Sequence, residues 1–195
     1  RGLGDVYKRQ VQAYRSEGAH EIGLVVNIEP KYPASDSAED VAATARAHAY
    51  MNRQYLDPAL KGSYPDELAE IFGEAWPQWP AQDLKDICQP VDFIGINYYT
   101  RNVVRADPNQ WPVGASPVKQ VATHTTTDWE VYPPALTDML MWFRDTYGDI
   151  PVYITENGAA FYDPPTAGSD GIDDPLRCDY LRTHIAAVSY THLTL

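Results

Sequence analysis

The chain has 195 residues, 27 acidic against 15 basic side chains, a formal net charge of -12 and 44% hydrophobic content. That length implies one globular domain. The acidic balance excludes nucleic acid and anionic membrane surfaces as partners, since both need basic patches, and no apolar run reaches the ~20 residues that cross a bilayer. Cys88 and Cys178 stand far apart, without the spacing of a zinc site or a disulfide framework, and the five histidines are scattered. The pattern predicts no metal, no cofactor and a reducing, cytoplasmic setting.

Residues 1–10 show neither helical nor alternating periodicity, and residues 189–195 abandon the pattern of the helix they follow. Both are set aside as a non-native leader and tail, which leaves 11–188 as the body of the fold. Ile22 to Ile28 is an apolar run without alternation, as expected of a strand buried on both faces. A loop fixed by Pro30 and Pro33 follows. Asp36 and Glu39 have capping-box spacing, and the alanine-rich stretch from Ala38 to Leu56 predicts a helix that Asp57-Pro58 stops. Shorter helices are expected over Pro65 to Phe72 and Ala81 to Ile87.

A second apolar strand, Asp92 to Thr100, turns polar at its end in Asn97-Tyr98-Tyr99. From Arg101 to Pro134 the chain is irregular and rich in Pro, Thr, Val and Asn, and loops of that length in compact domains are usually functional. Leu136, Met139, Leu140, Phe143 and Tyr147 then recur at helical spacing, with Gly148 as the stop. In Pro151 to Gly158, strand formers Val152, Tyr153 and Ile154 run into Thr155-Glu156 and an Asn157-Gly158 turn. After a loop rich in Gly, Pro and Asp, a last helix is expected over Pro175 to Val188, packing through Leu176, Tyr180 and Ile185.

Strands alternating with helices imply a parallel α/β sheet with right-handed crossovers, either doubly wound or part of an eightfold barrel. The doubly wound choice calls for a glycine-rich phosphate loop after a strand, and no Gly-x-Gly-x-x-Gly occurs. In both architectures ligands meet the C-terminal tips of the strands. Glu156 stands at such a tip, where a carboxylate points to chemistry, although taken alone it reads equally well as an ordinary loop acid. Asn97 and Tyr99, two apart on a strand, leave the same face, and Tyr98 leaves the other.

Thr155-Glu156-Asn157-Gly158 together with Phe93-Ile94-Gly95-Ile96-Asn97-Tyr98-Tyr99 resembles the β-glucosidase family of retaining glycosidases, glycoside hydrolase family 1. The resemblance runs from about Val11 to Val188. It implies a TIM (β/α)₈ barrel in which these strands are the fifth, sixth and seventh. A whole barrel takes ~250 residues, so the chain is expected to form a partial one. By the same resemblance Glu156 is the nucleophile, Tyr99 donates its phenol to that carboxylate, Asn97 lies beside it, and Trp129 walls the leaving part of the substrate. Trp76, Trp79, Trp111 and Trp142 have no such match and are read as packing residues.

The implied activity is cleavage of terminal β-D-glycosyl residues from small β-glycosides or oligosaccharides by double displacement, which needs two carboxylates. The family takes its acid/base from an Asn-Glu-Pro motif that ends the fourth strand. Asn27-Ile28-Glu29-Pro30 is interrupted by an isoleucine and ends the strand matched to the fifth, so Glu29 is read as a loop carboxylate. The isolated chain is therefore expected to be inactive. Two other classes stay open. A non-catalytic sugar-binding module has no use for Tyr99 and Glu156 converging on one point, and a non-functional barrel fragment would expose two unpaired strand edges.

Overall fold

The computed structural model describes residues 3–163 and 171–193. In chain order the elements are α1 (Leu3–Glu17), β1 (Gly23–Asn27), β2 (Lys31–Pro33), α2 (Ala38–His48), α3 (Gln54–Leu60), α4 (Asp66–Phe72), α5 (Ala81–Ile87), β3 (Phe93–Asn97), β4 (Asn102–Ala106), β5 (Ala115–Pro117), α6 (Pro134–Tyr147), β6 (Val152–Glu156) and α7 (Pro175–Leu193). β3 lies between β1 and β6 and pairs with both in parallel. Each parallel pair requires a crossover, and the helical stretches α2 to α5 and then α6 supply them.

The outer face of this sheet carries the core. Val26, Ile28, Ile94, Ile96 and Tyr98 pack against Leu56 of α3, Ala135, Leu136, Met139 and Phe143 of α6, and Ala187 of α7. Leu56, Ile94 and Ile96 are fully buried, each contributing roughly 1.5–3 kcal/mol. The inner face corrects the expectation of strands buried on both sides. Val25 is 51% and Tyr153 54% exposed there, because among the described residues no second layer covers it.

The long helix expected from Ala38 to Leu56 is three pieces. α2 is capped by Ser37, whose side chain accepts from Asp40 N, rather than by Asp36. A wide π-turn over Ala49–Arg53 separates it from α3. Pro58 does not stop α3, which runs on to Leu60. The carbonyl Pro58 fails to bond belongs to Gln54, next to the π-turn where the ladder is already displaced. Asp57, expected only as part of a stop signal, is a buried hub: it accepts from Tyr147 Oη at 2.6 Å and from Arg53 Nε and Nη2 at 3.1 and 3.0 Å. It thereby locks α3 to the end of α6, and burial with this bond pushes the Tyr147 phenol well above its ordinary range.

The stretch from Arg101 to Pro134 is more regular than expected. β4 pairs in parallel with β2 and antiparallel with β5, forming a second small sheet. Its partner β2 lies within the proline-bounded loop some seventy residues upstream, Tyr32 opposite Val103, a pairing no local pattern announces. In α7 the buried positions are Tyr180, His184, Ala187 and Thr191, at helical spacing. Leu176 and Ile185, read as packing residues, are 53% and 66% exposed. Ile185 is turned about 100° round the helix from His184.

The residues set aside as leader and tail are helical where described: α1 begins at Leu3 and α7 continues to Leu193. Residues 1, 2, 194 and 195 fall outside the described residues, as does part of the loop after β6. Of the tryptophans read as packing, Trp76 stacks on Phe72 and Trp142 meets His48 edge-on. Trp79 packs on Tyr64 at 5.4 Å between centroids although its outer side is exposed, and Trp111 meets Phe72 edge-on at 6.3 Å while 81% exposed in the turn between β4 and β5.

β1 and β6 each have one free edge among the described residues, and the inner face is open. Such edges template pairing between chains. The isolated chain is expected to associate and to bind an apolar dye in size-exclusion and fluorescence measurements. A sharp cooperative melt of a monomer of 21.9 kDa would contradict this.

Candidate active site

The site is built by an irregularity. β3 and β6 run in register as Gly95 with Tyr153 and Ile96 with Ile154, but the next pair is Asn97 with Glu156. Thr155 is the extra residue of a bulge. A regular strand would send Glu156 to the outer face with Ile154, whereas the bulge returns it to the side of Asn97. Thr155 Oγ1 donates to Asn97 Oδ1 at 2.6 Å, and Tyr98 N bonds the Glu156 carbonyl at 2.9 Å, closing the ladder.

The phenol of Tyr99 donates to Glu156 Oε2. The bond to the carboxylate raises the Tyr99 phenol above its ordinary range, since losing that proton would forfeit it. Glu156 is exposed to solvent on the inner face. Trp129 stands on the far side of Tyr99, ring centroids 5.3 Å apart, and is 41% exposed. Glu156, Tyr99, Asn97 and Trp129 thus lie on one surface at the C-terminal tips of β3 and β6. A carboxylate with a fixed donor and an adjacent indole face can hold an apolar sugar face and attack an electrophilic carbon.

Several supporting residues carried no sequence signal. Arg101 Nε and Nη2 each lie 3.0 Å from a Glu130 carboxylate oxygen, a bidentate pair whose side chains are 13% and 8% exposed. The guanidinium sits over Tyr132 at 3.4 Å from the ring centroid and near Tyr32 at 5.0 Å. Thr100 Oγ1 donates to the Glu130 carbonyl at 2.9 Å. Glu130 follows Trp129, so these contacts fasten the indole's backbone to the end of β3. The only hint was the acid beside Trp129.

Glu29, read as a loop acid, is ion-paired with Lys31, and its backbone is held by Asn52 at 2.9 and 3.0 Å. A cavity of about 390 Å³ between β2, α2 and α6 is lined by Ile28, Tyr32, His48, Met139 and Trp142. None of the four site residues lines it, so it is separate from the carboxylate site.

The family model described as Glycosyl hydrolase family 1 matches residues 6–192. The chain belongs to that family. It is 37% identical over 171 residues to β-glucosidase A of Acetivibrio thermocellus, covering 85% of this chain and 38% of that protein. To the 1,4-β-D-glucan glucohydrolase of Thermotoga neapolitana it is 38% identical, covering 86% of this chain and 39% of the other. The family 1 β-glucosidase structure from Thermotoga maritima superposes with a TM-score of 0.89 at 33% identity, over 96% of this chain and 42% of that one. The T. maritima β-glucosidase in complex with deoxynojirimycin gives 0.91 at 32% identity, over 98% and 43%.

The chain therefore spans about two fifths of the length of the curated relatives it matches. Its sheet is part of the family 1 TIM barrel, and the open inner face is the barrel's interior side. Gly95 is at the centre of that face. A Cβ there would meet Thr155 Cγ2 and Val25 Cγ2, both at 2.8 Å, so only glycine lets the neighbouring strands close around β3. In a chimera where residues 6–192 replace the matching stretch of the T. maritima enzyme, Gly95→Ala is expected to cost about 1–3 kcal/mol by overpacking. Denaturant melts check this, and an unchanged midpoint would show that the barrel interior yields more easily than the geometry implies.

Proposed function

We propose that this chain contributes the nucleophile half of a retaining β-glucosidase, with Glu156 attacking the anomeric carbon of a terminal β-D-glycosyl residue. The observation that carries the reading is the phenol of Tyr99 fixed on the Glu156 carboxylate at the strand tips. The hydrogen bond limits the rotation of the carboxylate and holds it for attack. Trp129 offers its exposed face to the departing group, and Asn97, tied to Thr155, stands beside the sugar. The substrates are small β-glycosides or oligosaccharides, and the names of the relatives support this class.

A second carboxylate is needed to protonate the leaving oxygen and then activate water, ~5–5.5 Å from the first. Glu29 is committed to Lys31 and does not take that role in this reading. Without general acid help, worth ~10²–10⁴-fold, the 195-residue chain alone does not turn over substrate. The proposal keeps the cytoplasmic setting, supported by two free cysteines.

The T. maritima chimera provides the test. Glu156→Ala is expected to abolish hydrolysis of an aryl β-glucoside, while added azide restores turnover and yields the inverted glycosyl azide, because one displacement replaces two. Tyr99→Phe should lower kcat/KM by about 3- to 10-fold, the worth of one hydrogen bond to the carboxylate. Near-normal activity in Glu156→Ala, or fluorosugar labelling of another carboxylate, would overturn the assignment.

A further inference from the structure

The ladder between β3 and β6 ends at the bond from Tyr98 N to the Glu156 carbonyl, and Tyr99 stands beyond it. Side chains take over from backbone there. Asn157 Nδ2 donates to the Tyr98 carbonyl at 2.9 Å and to Tyr180 Oη at 3.1 Å. Tyr180 Oη donates in turn to the Tyr99 carbonyl at 2.9 Å. The two amide hydrogens and the phenol hydrogen are each used once, and the Gly158 backbone also bonds the Tyr180 hydroxyl.

Tyr180 comes from α7 and is only 2% exposed. Its ring stacks on His184 at 3.9 Å between centroids, and His184 Nδ1 bonds the Tyr180 carbonyl at 2.7 Å. His184 Nε2 is buried without a hydrogen-bond partner, its ring lying beside that of Tyr98. An unpaired buried nitrogen has a cost. The His184 ring lies flat against that of Tyr180, whose phenol reaches the Tyr99 carbonyl.

We infer that Tyr180 is a positioning residue for the nucleophile: through its hydroxyl, shared with Asn157, it fixes the Tyr99 backbone and so sets where the Tyr99 phenol meets Glu156. The catalytic consequence rests on the reading of Glu156 as nucleophile. The positioning itself concerns the Tyr99–Glu156 bond and can be measured apart from turnover. A packing role would need only the ring of Tyr180, which phenylalanine keeps.

The experiment compares Tyr180→Phe, Tyr99→Phe and the double variant in the T. maritima chimera, with ring-labelled tyrosine. The ¹³Cζ resonance of Tyr99, assigned by its loss in Tyr99→Phe, reports the hydrogen bond to the carboxylate. It is expected to move in Tyr180→Phe toward the position of a solvated tyrosine. kcat/KM should fall about 3- to 10-fold, and the double variant should lose no more than Tyr99→Phe alone. A Tyr99 resonance that stays in place, or losses that multiply in the double variant, would overturn the inference. Should Tyr180→Phe fold poorly, Asn157→Ala removes the same support from the other side and must move the same resonance. If Glu156 is not the nucleophile, Glu156→Ala stays active while the resonance still moves, which separates the two failures.

Discussion

The arrangement of Glu156, Tyr99 and Asn97 depends on one extra residue in one strand. The pairing of β3 with β6 slips by Thr155, and that slip brings Glu156 onto the face of Asn97 and Tyr99. Without it, alternation would turn the carboxylate toward α6 and α7, among the buried side chains of the core. A bulge adjacent to a site is a device for aiming a side chain. Here it has a companion in Gly95, whose missing side chain gives Thr155 its room on the inner face. The strand tip is thus regular enough to be rigid and irregular at the single position where direction matters.

The fold was largely legible because its strands and crossover helices declare themselves locally. Phe93 to Asn97 and Val152 to Glu156 are apolar runs ending in polar residues, and Leu136, Met139, Phe143 and Tyr147 mark the face of α6. What was not legible is non-local. β2 is three residues long and is a strand only because β4 lies beside it, some seventy residues away. The buried face of α7 was misread because Tyr180 was grouped with Leu176 and Ile185, when the residues sharing its face are His184, Ala187 and Thr191. Propensity cannot reveal that a histidine and a threonine are inside while an isoleucine is out. The openness of the inner face was equally hidden, since a run of apolar residues states what a strand can bury and not what is present to cover it.

The site residues show the same division. Glu156 and Tyr99 were singled out through their motifs and meet in the structure, whereas groups that hold them lie far off in sequence. Tyr180 is 81 residues from the carbonyl it binds. Arg101 and Glu130 look like ordinary surface charges until the fold places them as a buried bidentate pair against Tyr132. Such a pair is weak evidence for stability, because desolvating both charges offsets much of their attraction. Its value is geometric: a planar fork meeting a carboxylate admits few orientations. It ties the segment after β3, which carries Tyr99, to the loop that carries Trp129.

These supports differ in kind, and the difference bears on what can vary. The Glu156 end is held by backbone ladder, bulge and hydrogen bonds from Asn157 and Tyr180, where a substitution leaves a donor or acceptor unmet. The indole end is held by a loop, pinned at Thr125 by a bond from Trp129 N to Oγ1 at 3.1 Å and at Glu130 by Arg101. Between those pins Asp128 takes a positive φ of 65° and sits at the surface, paired with Lys119. Loops tolerate exchange that strand tips do not. In a reading where Trp129 meets the departing group and Glu156 meets the sugar, selectivity for the departing group can change through residues 119–128 without disturbing the carboxylate. In that same reading, selectivity for the sugar cannot be altered from this side of the site without loosening the hold on Glu156.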